Sequence, residues 1–310
     1  MGNLLFEPLE INGMKLKNRL GFAPMLNLPR DEFFHMSDLA YDWFEQRAKG
    51  GAGFITTGTF MPEHLTMMPG GPEKFKKLAE VVHKYDCKIA VQIGAGGPMS
   101  GTGPSNMPYP NETDPKMSAN QALTGEFSPF APGLTSVAEL THEQMEEHIQ
   151  KFGAAAAILK DCGIDAVELH CAHGGATLYC SFISPFYNRR TDEYGGSWEN
   201  RLKFPVATLK KMREAVGPDY PLLARISADE LLGEQGITLD AACKHVVPAL
   251  ESAGIDCIDV SQGSILHSPE GITIPLYYPR GCYIHNSEAI KKASKLPVIG
   301  VGRIVDIEMA

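Results

Sequence analysis

The chain has 310 residues, 44% of them hydrophobic, enough to bury the core of one α/β barrel or of two ordinary domains. With 37 acidic against 28 basic residues its formal net charge is -9, and it has no basic tract, which argues against nucleic acid or an anionic membrane as partner. The seven cysteines are scattered and odd in number, with no C-x-x-C pair, so a disulfide framework or thiolate cluster is not supported and a reducing cytoplasm fits best. The opening MGNLLFEPLEING has neither a basic start nor a long apolar run, so it is not a signal peptide. Phe6 stands where a myristoylation motif needs Ser or Thr. No apolar stretch approaches the length of a membrane span, so a soluble protein is expected.

In chain order, residues 6–16 predict a hairpin turning at Asn12-Gly13. Short apolar runs then predict parallel strands at 19–23, 53–57, 88–93, 164–169, 222–226, 257–260 and 297–300. Helices alternate with them. One spans 37–49 and is closed by Gly50-Gly51, and another spans 72–85. Thr141 and Gln144 have capping-box spacing for a helix running toward Gly163. Ser197 caps a helix that stops at Gly217-Pro218, and Thr238 caps one that ends near Gly254. This alternation predicts a single domain over 1–310, an α/β fold of the TIM (β/α)8 barrel type with an N-terminal hairpin. Seven strand–helix steps are visible, so the eighth strand is expected outside this chain, in a longer protein.

Two long tracts interrupt the pattern. Residues 94–140, rich in Gly, Pro, Asn and Ser, read as an unstructured lid or binding loop over the mouth of the barrel. Residues 263–286 form a second loop, whose Tyr277 and Tyr278 are candidates to wall a substrate pocket or simply to pack their own loop.

Barrels of this class do their chemistry at the C-terminal ends of the strands. There the sequence places Ala23-Pro24-Met25, Gly58, Gln92, His170 with His173, Arg225, and Gly302-Arg303. A Gln amide both donates to and accepts from a pyrimidine ring, and a buried guanidinium stabilises negative charge on a reduced ring. Backbone N–H groups at Gly302, ahead of a helix start, suit a phosphate. Together these candidates suit a flat, polar-edged, phosphorylated cofactor. No G-x-G-x-x-G follows a strand, so a Rossmann dinucleotide site is absent from the chain.

The motifs resemble the FMN-containing barrel of the old yellow enzyme family. They are LFEPLEINGMKLKNRL, the APM after the first strand, VQIGAG, ELHCAHG with SPFYNRRTDEYGGSWENR, ARIS and PVIGVGRI. The similarity spans essentially the whole chain. It points to the branch that holds 2,4-dienoyl-CoA reductase, trimethylamine dehydrogenase, and enoate and bile-acid-type reductases. The resemblance implies FMN held by Ala23, Pro24, Met25, Gly58, Gln92 and Arg225, with its phosphate at Gly302-Arg303. His170 and His173 would grip the oxygen of a small unsaturated substrate, and NADH or NADPH would be the electron donor. In that branch the barrel often continues into a 4Fe-4S segment and a FAD domain, and homo-oligomers stay open. The expected reaction is hydride transfer from reduced FMN to the β-carbon of an α,β-unsaturated carbonyl, acid or acyl thioester, with a general acid supplying the second proton.

The sequence departs from that family twice. Many relatives carry Tyr directly after the His-Gly pair as the acid, whereas His173-Gly174 is followed here by Gly175. Tyr179 is the candidate that reaches in from the altered loop, with Cys180 and water left open. Leu26 replaces a Cys or Thr that touches the flavin in relatives, which removes a polar contact. Alternative readings are a flavin-dependent amine dehydrogenase, with Tyr277 and Tyr278 as an aromatic cage, and a non-catalytic flavin-binding protein. A zinc hydrolase built on His170 and His173 lacks a convincing third ligand, and a Schiff-base aldolase lacks a lysine at a strand end.

Overall fold

The computed structural model describes residues 4–25, 36–66, 69–98, 102–104, 107–108 and 136–310. The hairpin pairs β1 (Leu9–Ile11) with β2 (Met14–Leu16), Leu9 opposite Leu16 and Ile11 opposite Met14. Its turn needs two left-handed residues, and Asn12 (φ 44°) and Gly13 (φ 80°) supply them. Next come β3 (Gly21–Phe22), α1 (Asp38–Lys49), β4 (Phe54–Thr56), α2 (Pro62–Thr66), α3 (Gly71–His83) and β5 (Lys88–Ile93). The tract at 94–140 was expected to be unstructured, but its described part holds three short strands: β6 (Thr102–Gly103), β7 (Met107–Pro108) and β8 (Ser136–Glu139), paired in the order β6-β8-β7. Leu26 lies outside the described residues.

The second half runs through α4 (His142–Asp161), β9 (Ala166–Cys171), α5 (Leu178–Ile183), α6 (Trp198–Val216) and β10 (Leu222–Ser227). It continues with α7 (Leu239–Ala241), α8 (Val247–Ser252), β11 (Cys257–Ser261), α9 (Pro269–Ile272), α10 (Ile284–Ala293) and β12 (Val298–Gly300). Seven strands pair in parallel in the order β12-β11-β10-β9-β5-β4-β3, which confirms the α/β barrel architecture. No described helix is long and apolar enough to cross a membrane.

Side chains alternate across this sheet, and the alternation sorts its residues into two cores. Ile55, Ile89, Val91, Val167, Leu169, Ala224, Ile226, Ile258 and Val260 face the helices in one large cluster. Phe54, Ala90, Ala166, Leu223 and Cys257 face inward at the N-terminal end of the barrel, where Ile11, Met14 and Leu16 of the hairpin plug it. Burying each large aliphatic or aromatic side chain there contributes about 1.5–3 kcal/mol.

Where the structure departs from the sequence expectation, local causes are visible. The fourth barrel strand starts two residues later than expected. Gly163 (φ 80°) and Ile164 are used to end α4, the Ile164 N–H bonding back to the Leu159 carbonyl. His170 therefore lies within the strand rather than after it. The helix capped by Thr238 is not continuous: a π turn over Ala242–Val246 separates α7 from α8. Pro248 has no N–H for the regular ladder, and the wider turn, with the Val247 N–H on the Ala242 carbonyl, absorbs that loss. The loop expected over 263–286 contains α9 and the start of α10.

Candidate active site

One step above the apolar plug, the next inward positions on the same strands are polar: Thr56, Gln92, Glu168, Arg225 and Asp259. In register, Gln92 lies opposite Glu168 and Arg225 opposite Asp259. The Gln92 amide is oriented from both ends, its Nε2 donating to Glu168 Oε1 at 2.8 Å and its Oε1 accepting from the Thr59 hydroxyl. Arg225 Nη1 donates to Asp259 Oδ2 at 2.5 Å, while Nη2 makes only a long 3.4 Å contact with Ser261 Oγ. Glu168 and Asp259 are fully buried, and each leaves one carboxylate oxygen without a partner among the described residues. Burial, and after it the charge of Asp259, pushes the Glu168 carboxyl up to about 8.

The histidines adjoin these residues, His170 being the next inward position after Glu168 on β9. His170 lies opposite Arg225 in the sheet, and its ring meets that of His173 edge-on with centroids 5.1 Å apart. Burial, followed by the adjacent Arg225 charge, holds His170 down to about 3, so its imidazole is neutral at ordinary pH. Its Nδ1 is buried without a partner among the described residues. His173 sits in the left-handed region (φ 65°), a costly conformation for a non-glycine residue. Two serines hold it there. Its backbone N–H donates to Ser227 Oγ at 2.8 Å, and its Nε2 lies 2.8 Å from Ser261 Oγ. Burial, His170 and Arg225 all keep His173 neutral as well. The two residues after it must be glycine. A Cβ at Gly174 would lie 2.0 Å from Glu230 Oε1, and Gly175 has φ 87° with Tyr187 Oη 2.8 Å from its would-be Cβ.

The other sequence candidates divide. Gly58 is buried directly after β4, and Ala23, Pro24 and Met25 follow β3 with Met25 exposed. Gly302 is buried beyond β12, but the Arg303 guanidinium is engaged with the Tyr278 carbonyl. The expectation that Tyr277 walls a pocket is corrected: its ring is 84% exposed and packs only beside Tyr278, which is half-buried. The expectation that Tyr179 reaches the barrel mouth is also corrected. The altered loop coils into α5, whose six residues are all buried, and that turns the Tyr179 ring away from the mouth. It stacks on Phe204 at 5.0 Å and meets Phe152 edge-on at 5.1 Å, in the layer between helices and sheet.

Glu168, Asp259, Ser227 and Ser261 were not singled out from sequence. The signal was present in V-E-L-H and C-I-D-V-S, where a charged residue interrupts an apolar strand at an inward alternating position. Among the described residues, the one His/Asp/Glu group spaced for a metal is His142, Asp192 and Glu193, so the zinc reading of His170 and His173 gains nothing.

These groups fit a flat ring with carbonyl and N–H edges. Arg225 keeps donor capacity on Nη2, Gln92 keeps a second amide hydrogen, and His170 Nδ1 awaits a partner.

The comparisons agree with that fit. The NADH:flavin oxidoreductase / NADH oxidase family matches residues 4–310. The chain is 34% identical to an NADH oxidase of Thermoanaerobacter brockii, over 99% of this chain and 46% of that protein. It is 31% identical to a cinnamate reductase of Clostridium sporogenes, over 99% of this chain and 48% of that protein. It thus spans about half the length of these two relatives. The structure of Old Yellow Enzyme from Pichia sp. AKU4542 superposes with a TM-score of 0.67 at 25% identity, covering 84% of this chain and 71% of that one. With the barrel, the polar layer and the paired histidines in place, the chain belongs to the NADH:flavin oxidoreductase / NADH oxidase family, the group of flavoproteins that includes Old Yellow Enzyme.

Proposed function

We propose that this chain is the FMN-binding unit of an ene-reductase acting on an α,β-unsaturated carbonyl, acid or acyl thioester. The observation that carries the reading is the His170–His173 pair, its rings edge-on with centroids 5.1 Å apart, with His170 opposite Arg225 beside the Gln92–Glu168 and Arg225–Asp259 pairs. Cinnamate reductase, an enzyme named for an unsaturated acid, is among the similar proteins. When bound, FMN supplies the hydride, with NADH or NADPH as its source of electrons.

The residues of the chain do the rest. Gln92 and Arg225 would hold the polar edge of the cofactor, Ala23-Pro24-Met25 and Gly58 would hold its ring, and Gly302-Arg303 would hold its phosphate, for which the Arg303 side chain would have to leave the Tyr278 carbonyl. His170 and His173 donate hydrogen bonds to the conjugated oxygen of the substrate, where negative charge develops as the β-carbon is reduced. Their neutrality matters because an imidazole N–H in this buried layer stabilises that oxygen without surrendering its proton. An amine dehydrogenase needs an aromatic cage, and the exposure of Tyr277 gives it no support.

The test is anaerobic reduction of the FMN-loaded protein by NADH or NADPH, followed by a panel of enones, cinnamate and unsaturated acyl thioesters. His170→Ala and His173→Ala are expected to keep FMN and to slow alkene reduction by about 10²–10³-fold, as for loss of an oxyanion donor. Full turnover in both variants, or no alkene reduction by wild type despite a reducible flavin, overturns the proposal.

A further inference from the structure

We propose that Glu168 is a positioning residue that sets the charge Arg225 presents to bound FMN: it orients the Gln92 amide, holds the one proton of the buried Glu168–Arg225–Asp259 group, and thereby tunes the reduction potential of the flavin. The proposal rests on the FMN reading above and adds to it a residue that touches neither substrate nor cofactor.

The geometry assigns the proton. Glu168 and Asp259 are fully buried and Arg225 nearly so, and the charges of Asp259 and Arg225 both act on Glu168, which makes a buried group of one cation and two carboxyls. With both acids ionised, the layer would hold an uncompensated buried charge, which is costly in a low-dielectric interior. Asp259 is bound to the guanidinium at 2.5 Å and stays ionised. Glu168 accepts only from a neutral amide, at 2.8 Å, and its Oε2 has no partner among the described residues, so the carboxylic acid form belongs there. The upward push of Glu168 to about 8 agrees with this assignment.

Groups face Glu168 from every strand packed around it. From β5 Gln92 faces Glu168, from β10 Arg225, from β11 Asp259 and Cys257, and on β9 itself His170 stands one inward step above. His170 is neutral, and burial keeps the Cys257 and Cys171 thiols protonated. The change of charge in this layer above neutral pH is therefore that of Glu168. While Glu168 is protonated, Arg225 faces a single carboxylate and the two charges balance. Once Glu168 ionises, a second negative charge opposes reduction.

The test is the two-electron potential of FMN in wild type and Glu168→Gln across the alkaline range. Glutamine keeps an acceptor for Gln92 but cannot ionise. The two proteins are expected to coincide at about pH 6.5. At about pH 9.5, wild type is expected to hold about tenfold less reduced FMN at the same applied potential, a difference of about 30 mV for a two-electron couple. Parallel curves over the whole range overturn the assignment. If Glu168→Gln fails to fold, reduction-induced infrared difference spectra of wild type decide. A perturbed carboxylic-acid C=O band that is lost above about pH 9 supports the proposal, and its absence overturns it. Failure of wild type itself to take up FMN overturns the proposed cofactor, and with it this inference, whereas uptake with parallel curves overturns only the role of Glu168.

Discussion

Two interior levels of the barrel, one inward position apart on the same strands, have opposite physical characters. The lower joins Phe54, Ala90, Ala166, Leu223 and Cys257 to the hairpin residues Ile11, Met14 and Leu16, with no charge among them. The upper replaces them with Thr56, Gln92, Glu168, Arg225 and Asp259, equally buried and only partly satisfied by one another. Apolar burial stabilises the fold, while a buried set of one cation and two acids contributes little or opposes it. The polar level adjoins the two histidines, His170 lying opposite Arg225, where directed hydrogen bonds and fixed charge have a use. The lower level thus serves the stability of the fold, and the upper level serves the candidate site.

The largest effect is expected from Arg225→Ala, which leaves Asp259 buried without its cation. Urea unfolding is expected to show a loss of about 3–5 kcal/mol, with FMN uptake abolished in the absorbance spectrum. A variant that stays yellow and stable would mean the upper level is not organised around this cation. Leu223→Ala attacks the lower level instead. It is expected to cost about 2–5 kcal/mol by the same measurement, while the fraction that stays folded keeps its flavin. Equal loss of flavin affinity in both variants would erase the division between the levels.

Acid provides a third probe. The unfolded His170 takes up a proton near pH ~6.5, whereas the folded residue resists protonation until about 3. The unfolded state therefore binds more protons in this window, and stability present above pH ~6.5 is lost as the pH falls through it. His170→Gln is expected to flatten the acid limb of the stability–pH curve by about one proton, His173 supplying a similar slope of its own. The smallest effect belongs to the helix layer. Tyr179→Phe keeps the ring between Phe204 and Phe152 and is expected to change stability by about 1 kcal/mol or less, with turnover unaltered. A large loss of turnover would return Tyr179 to the site.

Much of this was legible in the chain because the relevant rules are local. The turn at Asn12-Gly13 follows from the left-handed preferences of those two residues, and the Thr141–Gln144 capping box forms as its spacing requires. Gln92, His170 and Arg225 could be placed at one barrel mouth because strand ends in such folds converge. The fate of Tyr179 was not legible. Thr177 and Ser184-Pro185 bracket a short helix over 178–183, but the side that its Tyr179 faces is set only by packing against Phe152 and Phe204. Tyr277 likewise has the composition of a pocket residue, and only its position in three dimensions shows it in solvent.

By itself, the sequence determined the alternation of strands and helices, the hairpin, and the residue types at the strand ends, since each depends on near neighbours and on periodicity. Tertiary structure alone decided that Glu168 takes the Gln92 amide while Asp259 takes the Arg225 guanidinium, that His173 adopts a left-handed backbone held by Ser227 and Ser261, and that Tyr179 turns outward. Those outcomes depend on contacts between residues distant in the chain, whose energies exist only once the sheet has brought them together.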